Sequence, residues 1–136
     1  MSLVAIAVVV LALPGCGDEG GAREDDAPTA AGFADCFDLP GFEAAKPKPR
    51  EESVLAFQAR REGYDVEAVN VSKRGMLTPH AFLVFFESAE QAERAMEDLN
   101  ATSFGEVPPQ RLGPAVIGYG DGENRAAVEP AIRKCL

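Results

Sequence analysis

The sequence contains little basic charge, few cysteines and a single histidine. Lys and Arg number 13 against 22 Asp and Glu, which gives a net charge of -9. Because affinity for phosphate backbones comes mainly from Lys and Arg, this balance argues against a nucleic-acid-binding protein. The only histidine is His80 and no two cysteines lie close together in the sequence. We therefore expect no metal site, since zinc sites need clusters of such residues.

A set of catalytic residues is also missing from the sequence. A nucleophile needs a base beside it, and the one histidine, His80, lies between Pro79 and Ala81 at a loop–strand junction. A packing role fits that place better than catalysis. The carboxylates of residues 87–97 have the spacing of a solvated helix face. The sequence therefore predicts no catalytic residues and no cofactor.

Acidic charge is concentrated near the amino terminus. Six acidic residues and one base, Arg23, lie between Gly17 and Asp35. The remainder from Cys36 onward has 16 acids and 12 bases, so it is only mildly acidic. With 136 residues, of which 46% are hydrophobic and 26% charged, the chain has room for a single globular domain.

The amino-terminal segment MSLVAIAVVVLALPG carries no charge and contains an apolar run of about eleven residues. Such a run is too short to cross roughly 30 Å of hydrocarbon as a helix. Its length is typical of the core of a secretory signal, which indicates export.

The end of this segment, Leu13-Pro14-Gly15-Cys16, resembles the lipobox of bacterial lipoproteins. The resemblance implies that the Cys16 sulfur receives a diacylglyceryl group and that residues 1–15 are removed as a signal peptide. The chain would then lie in the bacterial cell envelope, held by its lipid at the outer face of the cytoplasmic membrane. Two or three acyl chains hold a protein on a bilayer far more firmly than one. An ordinary cleaved signal of a secreted protein and a buried apolar helix remain as alternatives.

Residues 17–32 are rich in Gly, Ala and acid and show no apolar period, which predicts a flexible tether. We therefore expect a lipid-attachment cysteine and acidic linker over 16–33 and one α+β domain over 34–136.

Cysteine usage predicts a disulfide across the domain. If Cys16 is acylated, Cys36 and Cys135 remain, at the two ends of the globular segment. Outside the cytoplasm a bond between them is the natural inference. Closing a loop of about 100 residues would stabilise the fold by roughly 4.7 kcal/mol in the chain-entropy account. Two unpaired buried thiols remain as the alternative.

Hydrophobic periodicity and turn residues predict the following order after residue 50: helix 51–63, strand 64–72, loop 73–80, strand 81–87, helix 88–101, loop 102–113, strand 114–120 and helix 123–136. The strand at 81–87 is apolar on both faces, which predicts a central strand covered on each side. Pro130 either kinks the last helix or starts a second one.

A first strand at residues 34–39 would complete a ferredoxin-like βαββαβ plait with an extra C-terminal helix. This α+β fold is a two-layer sandwich with an antiparallel sheet, in which the first and last strands are neighbours.

Residues 80–101 resemble the third strand and second helix of the RNA-recognition motif, which has this plait. In that family the third strand offers aromatic rings on which bases stack. The corresponding positions here are Ala81 and Leu83, and Pro79 stands where a basic residue is usual. The resemblance therefore implies a fold without RNA binding.

The glycine-rich segment 118–124, GYGDGEN, follows a strand and precedes a helix. Its spacing is G-x-G-x-G, so we expect a tight turn with Asp121 or Asn124 as helix cap.

Our first hypothesis is an envelope-anchored, non-catalytic domain that binds an envelope protein or a small ligand. The alternative is an enzyme that uses loop residues such as Arg111, Asp121 and Glu123.

Overall fold

The computed structural model describes residues 28–100 and 107–136. The predicted signal 1–15, Cys16 and the linker up to residue 27 therefore lie outside the described residues, as do residues 101–106. Within these ranges the elements are α1 (Ala30–Cys36), β1 (Phe42–Ala45), α2 (Val54–Arg61), β2 (Glu67–Lys73), β3 (Ala81–Phe85), α3 (Ala89–Asp98), β4 (Gln110–Leu112), β5 (Ala115–Tyr119) and α4 (Gly122–Arg133). A single turn of 3-10 helix at Pro49–Glu51 separates β1 from α2.

The five strands form one antiparallel sheet in the order β1-β2-β3-β5-β4. Strand β3 lies in the middle of the sheet. Its successive residues Leu83 and Val84 belong to the cores on opposite faces, and both are fully buried. The prediction of a central strand covered on each side is confirmed, and the fold is α+β.

Helices cover both faces of the sheet. Helices α2 and α3 pack on one face through small buried residues that include Ala56 and Ala95. Helices α1 and α4 cover the other face through Phe33, Val128 and Ile132. Helices α2 and α3 therefore lie together on one face of the sheet, and the C-terminal helix lies with α1 on the opposite face.

Serine caps fix the starts of α2 and α3. The Ser53 hydroxyl accepts a hydrogen bond from the Ala56 N–H at 3.2 Å, and the Ser88 hydroxyl accepts one from the Gln91 N–H at 3.1 Å. Each bond satisfies a backbone donor that lacks a partner inside the helix. Helix α2 ends before Gly63, whose φ of 93° reverses the chain.

The predicted first strand at residues 34–39 is wrong, because residues up to Cys36 belong to α1. This helix starts at Ala30, inside the segment interpreted as linker, where the Thr29 hydroxyl accepts from the Gly32 N–H at 3.0 Å. Phe33 is only 1% exposed, so packing against the sheet stabilises a helix too short to persist alone. The first strand is instead Phe42–Ala45.

The strand order predicted by the plait is not confirmed. Strand β1 pairs with β2 at one edge, and both β2 and β3 lie between β1 and β5. In the plait the first and last strands would be neighbours. Here α2 returns the chain to the strand position directly beside β1, with Ala44 opposite Val71.

The loop predicted over residues 102–113 contains a short strand at its end. Strand β4 pairs with β5, with Gln110 opposite Ile117, and Gly113 at φ 57° makes the turn between them.

The last helix, α4, continues through Pro130. Because Ala126 is exposed, the carbonyl that loses its helical donor to this proline can bond to water.

Cys36 and Cys135 form the expected disulfide, with 5.7 Å between their Cα atoms. Cysteine usage predicted this pairing. The fold allows the bond because α1 and the end of α4 share one face of the sheet.

Candidate functional site

A cleft of about 240 Å³ opens where β2 begins and β3 ends. We call it the acid cleft. Its exposed rim includes the carboxylates of Asp65, Glu67 and Glu87, and its buried lining includes Phe85 and Phe86. Residues 28–30, at the point where the described chain begins, form part of the wall. The cleft therefore combines an aromatic floor with negative charge, beside the first residues that the structure describes.

The register of the β2–β3 pair brings the cleft residues of the two strands together. Glu67 lies directly opposite Phe85 in the β2–β3 pair. The next residue, Phe86, leaves the strand and donates its N–H to the Pro114 carbonyl at 2.9 Å. The two phenylalanine rings point to opposite faces of the sheet, so the cleft spans the end of the sheet.

Aromatic contacts fix both floor residues. The Phe85 ring packs against Phe33 of α1, with 5.8 Å between ring centroids. The Phe86 ring meets Tyr64 edge-on at 5.6 Å. The Tyr64 hydroxyl donates to Asp98 at 2.7 Å, and this bond raises the tyrosine pKa above its ordinary value. A floor anchored from both helical layers is preorganised for binding.

Within the described residues, no Lys or Arg forms an ion pair with the three rim carboxylates. The guanidinium of Arg60 approaches the start of β2, but it pairs with Glu52 and donates to the Val66 carbonyl at 3.1 Å. The rim therefore keeps its negative charge and attracts cations.

A second unusual surface lies at the β2–β3 turn. The side chains of Met76 and Leu77 are 51% and 98% exposed. Lys73 and Arg74 precede them, separated by Gly75, and neither has a carboxylate partner in the residues that the structure describes. We call residues 73–77 the hairpin tip. It joins apolar surface with positive charge, whereas the acid cleft joins apolar surface with negative charge.

A second cavity, of about 190 Å³, is lined in part by Met76 and Leu77 of the hairpin tip. Its floor includes the amide of Asn70, which is 7% exposed and donates to the Glu51 carbonyl at 3.0 Å. This bond ties the 3-10 turn to the sheet, so we assign Asn70 a structural role.

Two of the three residues proposed for the enzyme alternative have separate local partners. The Asp121 carboxylate caps α4 by accepting from the Asn124 N–H at 2.7 Å, as the sequence predicted. Arg111 donates to the Gly113 carbonyl at 3.2 Å, and Glu123 is exposed in the first turn of α4. These hydrogen bonds give Arg111 and Asp121 structural roles in their own turns.

Two other predicted positions have packing roles. The ring of His80 meets Phe42 edge-on at 5.0 Å between centroids. Ala81 and Leu83, which correspond to the base-stacking positions of the RNA-recognition motif, are fully buried in the core beneath α1 and α4. They offer no open surface for stacking.

A charged cluster on α4 surrounds a buried tyrosine. Hydrogen bonds from Arg125 and Arg133 hold the pKa of Glu129 below its usual value. The Arg125 guanidinium also lies over the Tyr119 ring, 5.8 Å from its centroid. Burial and the Glu129 charge raise the pKa of Tyr119 to about 12, and its hydroxyl has no hydrogen-bond partner in the described structure.

Across residues 28–100 and 107–136, no group of three or more His, Cys, Asp or Glu side chains is placed to hold a metal ion. The same residues contain no helix with the length and apolar character needed to cross a membrane.

Comparison of the chain with protein-family models, curated proteins and solved structures gave no match.

Sequence reasoning missed the acid cleft because its carboxylates come from separate segments. Glu87 has the spacing of a solvated helix face, whereas Asp65 and Glu67 belong to a predicted strand, so no sequence pattern connects the three. A signal for the hairpin tip did exist, since an apolar pair, Met76-Leu77, stands in an otherwise polar loop.

Proposed function

We propose that this chain is a bacterial envelope lipoprotein, anchored by acyl chains on Cys16, whose domain is a non-catalytic binding module. The lipobox sequence supports the anchor. The Cys36–Cys135 disulfide supports an oxidising compartment outside the cytoplasm. Eleven residues separate Cys16 from Pro28, and a chain of that length reaches at most about 40 Å when extended. The acid cleft, which includes Pro28, would therefore remain close to the bilayer.

The observation that carries the binding role is the acid cleft itself. Its apolar floor favours an apolar group, and its rim of three carboxylates favours a cation. The expected ligand therefore carries positive charge beside an apolar side chain or body. An envelope protein or a small ligand of this chemistry would fit.

Metabolic labelling tests the anchor. In a bacterial host supplied with an alkyne-tagged fatty acid, the natural chain should acquire the label and Cys16→Ser should not. The matched control is Cys36→Ser combined with Cys135→Ser, which removes the other two cysteines and should still be labelled. Equal labelling of the Cys16→Ser chain would contradict the proposal, and absence of label from all three would favour a secreted protein.

Peptide titration tests the cleft. An amidated Arg-Leu-Arg-Leu peptide should shift the amide resonances of residues 65–67 and 85–87 in the mature protein. Replacing Asp65→Asn, Glu67→Gln and Glu87→Gln together should weaken binding at least tenfold, because the rim loses its charge. The control replaces Glu62, Glu93 and Glu97, three exposed acids elsewhere, by Gln. If both triple variants weaken binding equally, the interaction depends on net charge and the cleft is not the site.

A further inference from the structure

We infer that the occupant of the acid cleft is the hairpin tip of a second copy of this chain. The inference rests on the proposed binding role of the cleft and names its partner. The tip of one molecule would place Met76 and Leu77 on the aromatic floor of the next, with Lys73 and Arg74 against the rim carboxylates.

Charge and polarity match between the two surfaces. The tip has two cations without carboxylate partners, and the rim has three carboxylates without a paired cation, within the described residues. Leu77 is 98% exposed and Met76 51%, so the tip has apolar surface to bury. The floor residues Phe85 and Phe86 line the cavity that would receive it.

A molecule cannot fill its own cleft. Strand β2 starts at Glu67 in the cleft and ends at Lys73 in the tip. Seven residues of strand separate the two surfaces by about 20 Å. Contact therefore requires another molecule, and because two different surfaces meet, the copies would join head to tail.

The size of the cleft also favours this occupant. At about 240 Å³ it is smaller than the roughly 300–1,000 Å³ pockets that take drug-sized ligands. One or two projecting side chains suit such a volume. A contact this small is weak in dilute solution, but anchoring the copies on one bilayer raises their effective concentration.

Photo-crosslinking tests the contact in the full, membrane-bound chain. With Leu77→p-benzoylphenylalanine, irradiation of cells should give crosslinked dimers joined between residue 77 and residues 65–67 or 85–87. The same replacement at Phe57, another exposed apolar residue, should not. Crosslinks from residue 77 to phospholipid or to unrelated proteins would overturn the inference and identify a membrane or another protein as the occupant.

Complementation of two variants tests the head-to-tail geometry. The tip variant is Leu77→Asp, and the cleft variant combines Glu67→Lys with Glu87→Lys. With the protein anchored on phospholipid vesicles, chemical crosslinking of the natural protein should give dimers and longer species as its surface density rises, and each variant alone should stay monomeric. Their mixture should form heterodimers and nothing larger, because it retains only one working tip–cleft pair.

Absence of heterodimers in the mixture would overturn the inference. Matching unfolding curves for the variants and the natural protein establish that each variant is folded. If the Arg-Leu-Arg-Leu peptide still binds the cleft of the natural protein while no self-association occurs, the proposed binding role stands and only self-docking fails.

Discussion

Cys36, the last residue of α1, is bonded to Cys135, two residues beyond the end of α4. The bond links the two helices that cover one face of the sheet. It also ties the start of the domain, where the predicted tether enters, to the C-terminal end of the chain.

Removal of this bond should destabilise the domain strongly. We expect Cys36→Ala with Cys135→Ala to lower the free energy of unfolding by about 2–5 kcal/mol, as measured by urea denaturation. Reduction of the natural protein with dithiothreitol should give the same loss. If the reduced and oxidised proteins unfold at the same urea concentration, the bond does not constrain this fold.

Truncation of a central core residue should cost far more than truncation of the exposed tip. Leu83 is 0% exposed and Leu77 is 98% exposed. We therefore expect Leu83→Ala to lower the free energy of unfolding by about 2–5 kcal/mol. Leu77→Ala should lower it by less than about 0.5 kcal/mol, and urea unfolding measures both. Similar losses for the two would mean that β3 is not the centre of the sheet.

The alkaline stability of the domain should depend on Tyr119. Its pKa is raised to about 12 in the folded protein, from an ordinary value of 10.0. The folded state thus holds the proton more tightly, so this stabilisation is complete below pH 10 and falls as the pH rises toward 12.

The Tyr119→Phe variant should lose less stability than the natural protein between pH 9 and pH 11.5. At pH 7 it should be at least as stable, because the buried hydroxyl has no hydrogen-bond partner in the described structure. Urea unfolding at the three pH values measures both effects. Parallel pH profiles for Tyr119→Phe and the natural protein would show that Tyr119 is not the group responsible.

The cap of α4 should contribute measurably to stability. Asp121→Ala removes the acceptor for the Asn124 N–H and should cost about 1 kcal/mol in thermal or urea unfolding. Asp121→Ser retains a capping oxygen and should recover most of that loss. If both variants are as stable as the natural protein, the cap bond contributes little.

Strong local patterns allowed much of the fold to be predicted from sequence. Helices α2 and α3 have serine caps followed by apolar residues at helical spacing, and β3 is apolar on both faces. Helix α1 was missed because its seven residues contain Gly32 and a single large buried side chain, Phe33. Its helical state depends on contacts with the sheet, which no local pattern records.

The strand order and the cleft could not be predicted for a related reason. Pairing of β1 with β2, or of the three-residue β4 with β5, depends on contacts between distant segments. The carboxylates of Glu67 and Glu87 lie 20 residues apart and become neighbours only through the β2–β3 register. The disulfide was predictable because the expected export, with Cys16 assigned to a lipid, would leave Cys36 and Cys135 as natural partners.

The mass of the mature amino terminus tests the central claim most directly. The protein should be purified from the membranes of its natural host and its N-terminal peptide analysed by mass spectrometry. The account predicts a peptide that begins at Cys16 and carries two or three acyl chains. A Cys16 thiol without modification, with residues 1–15 still attached, would contradict it.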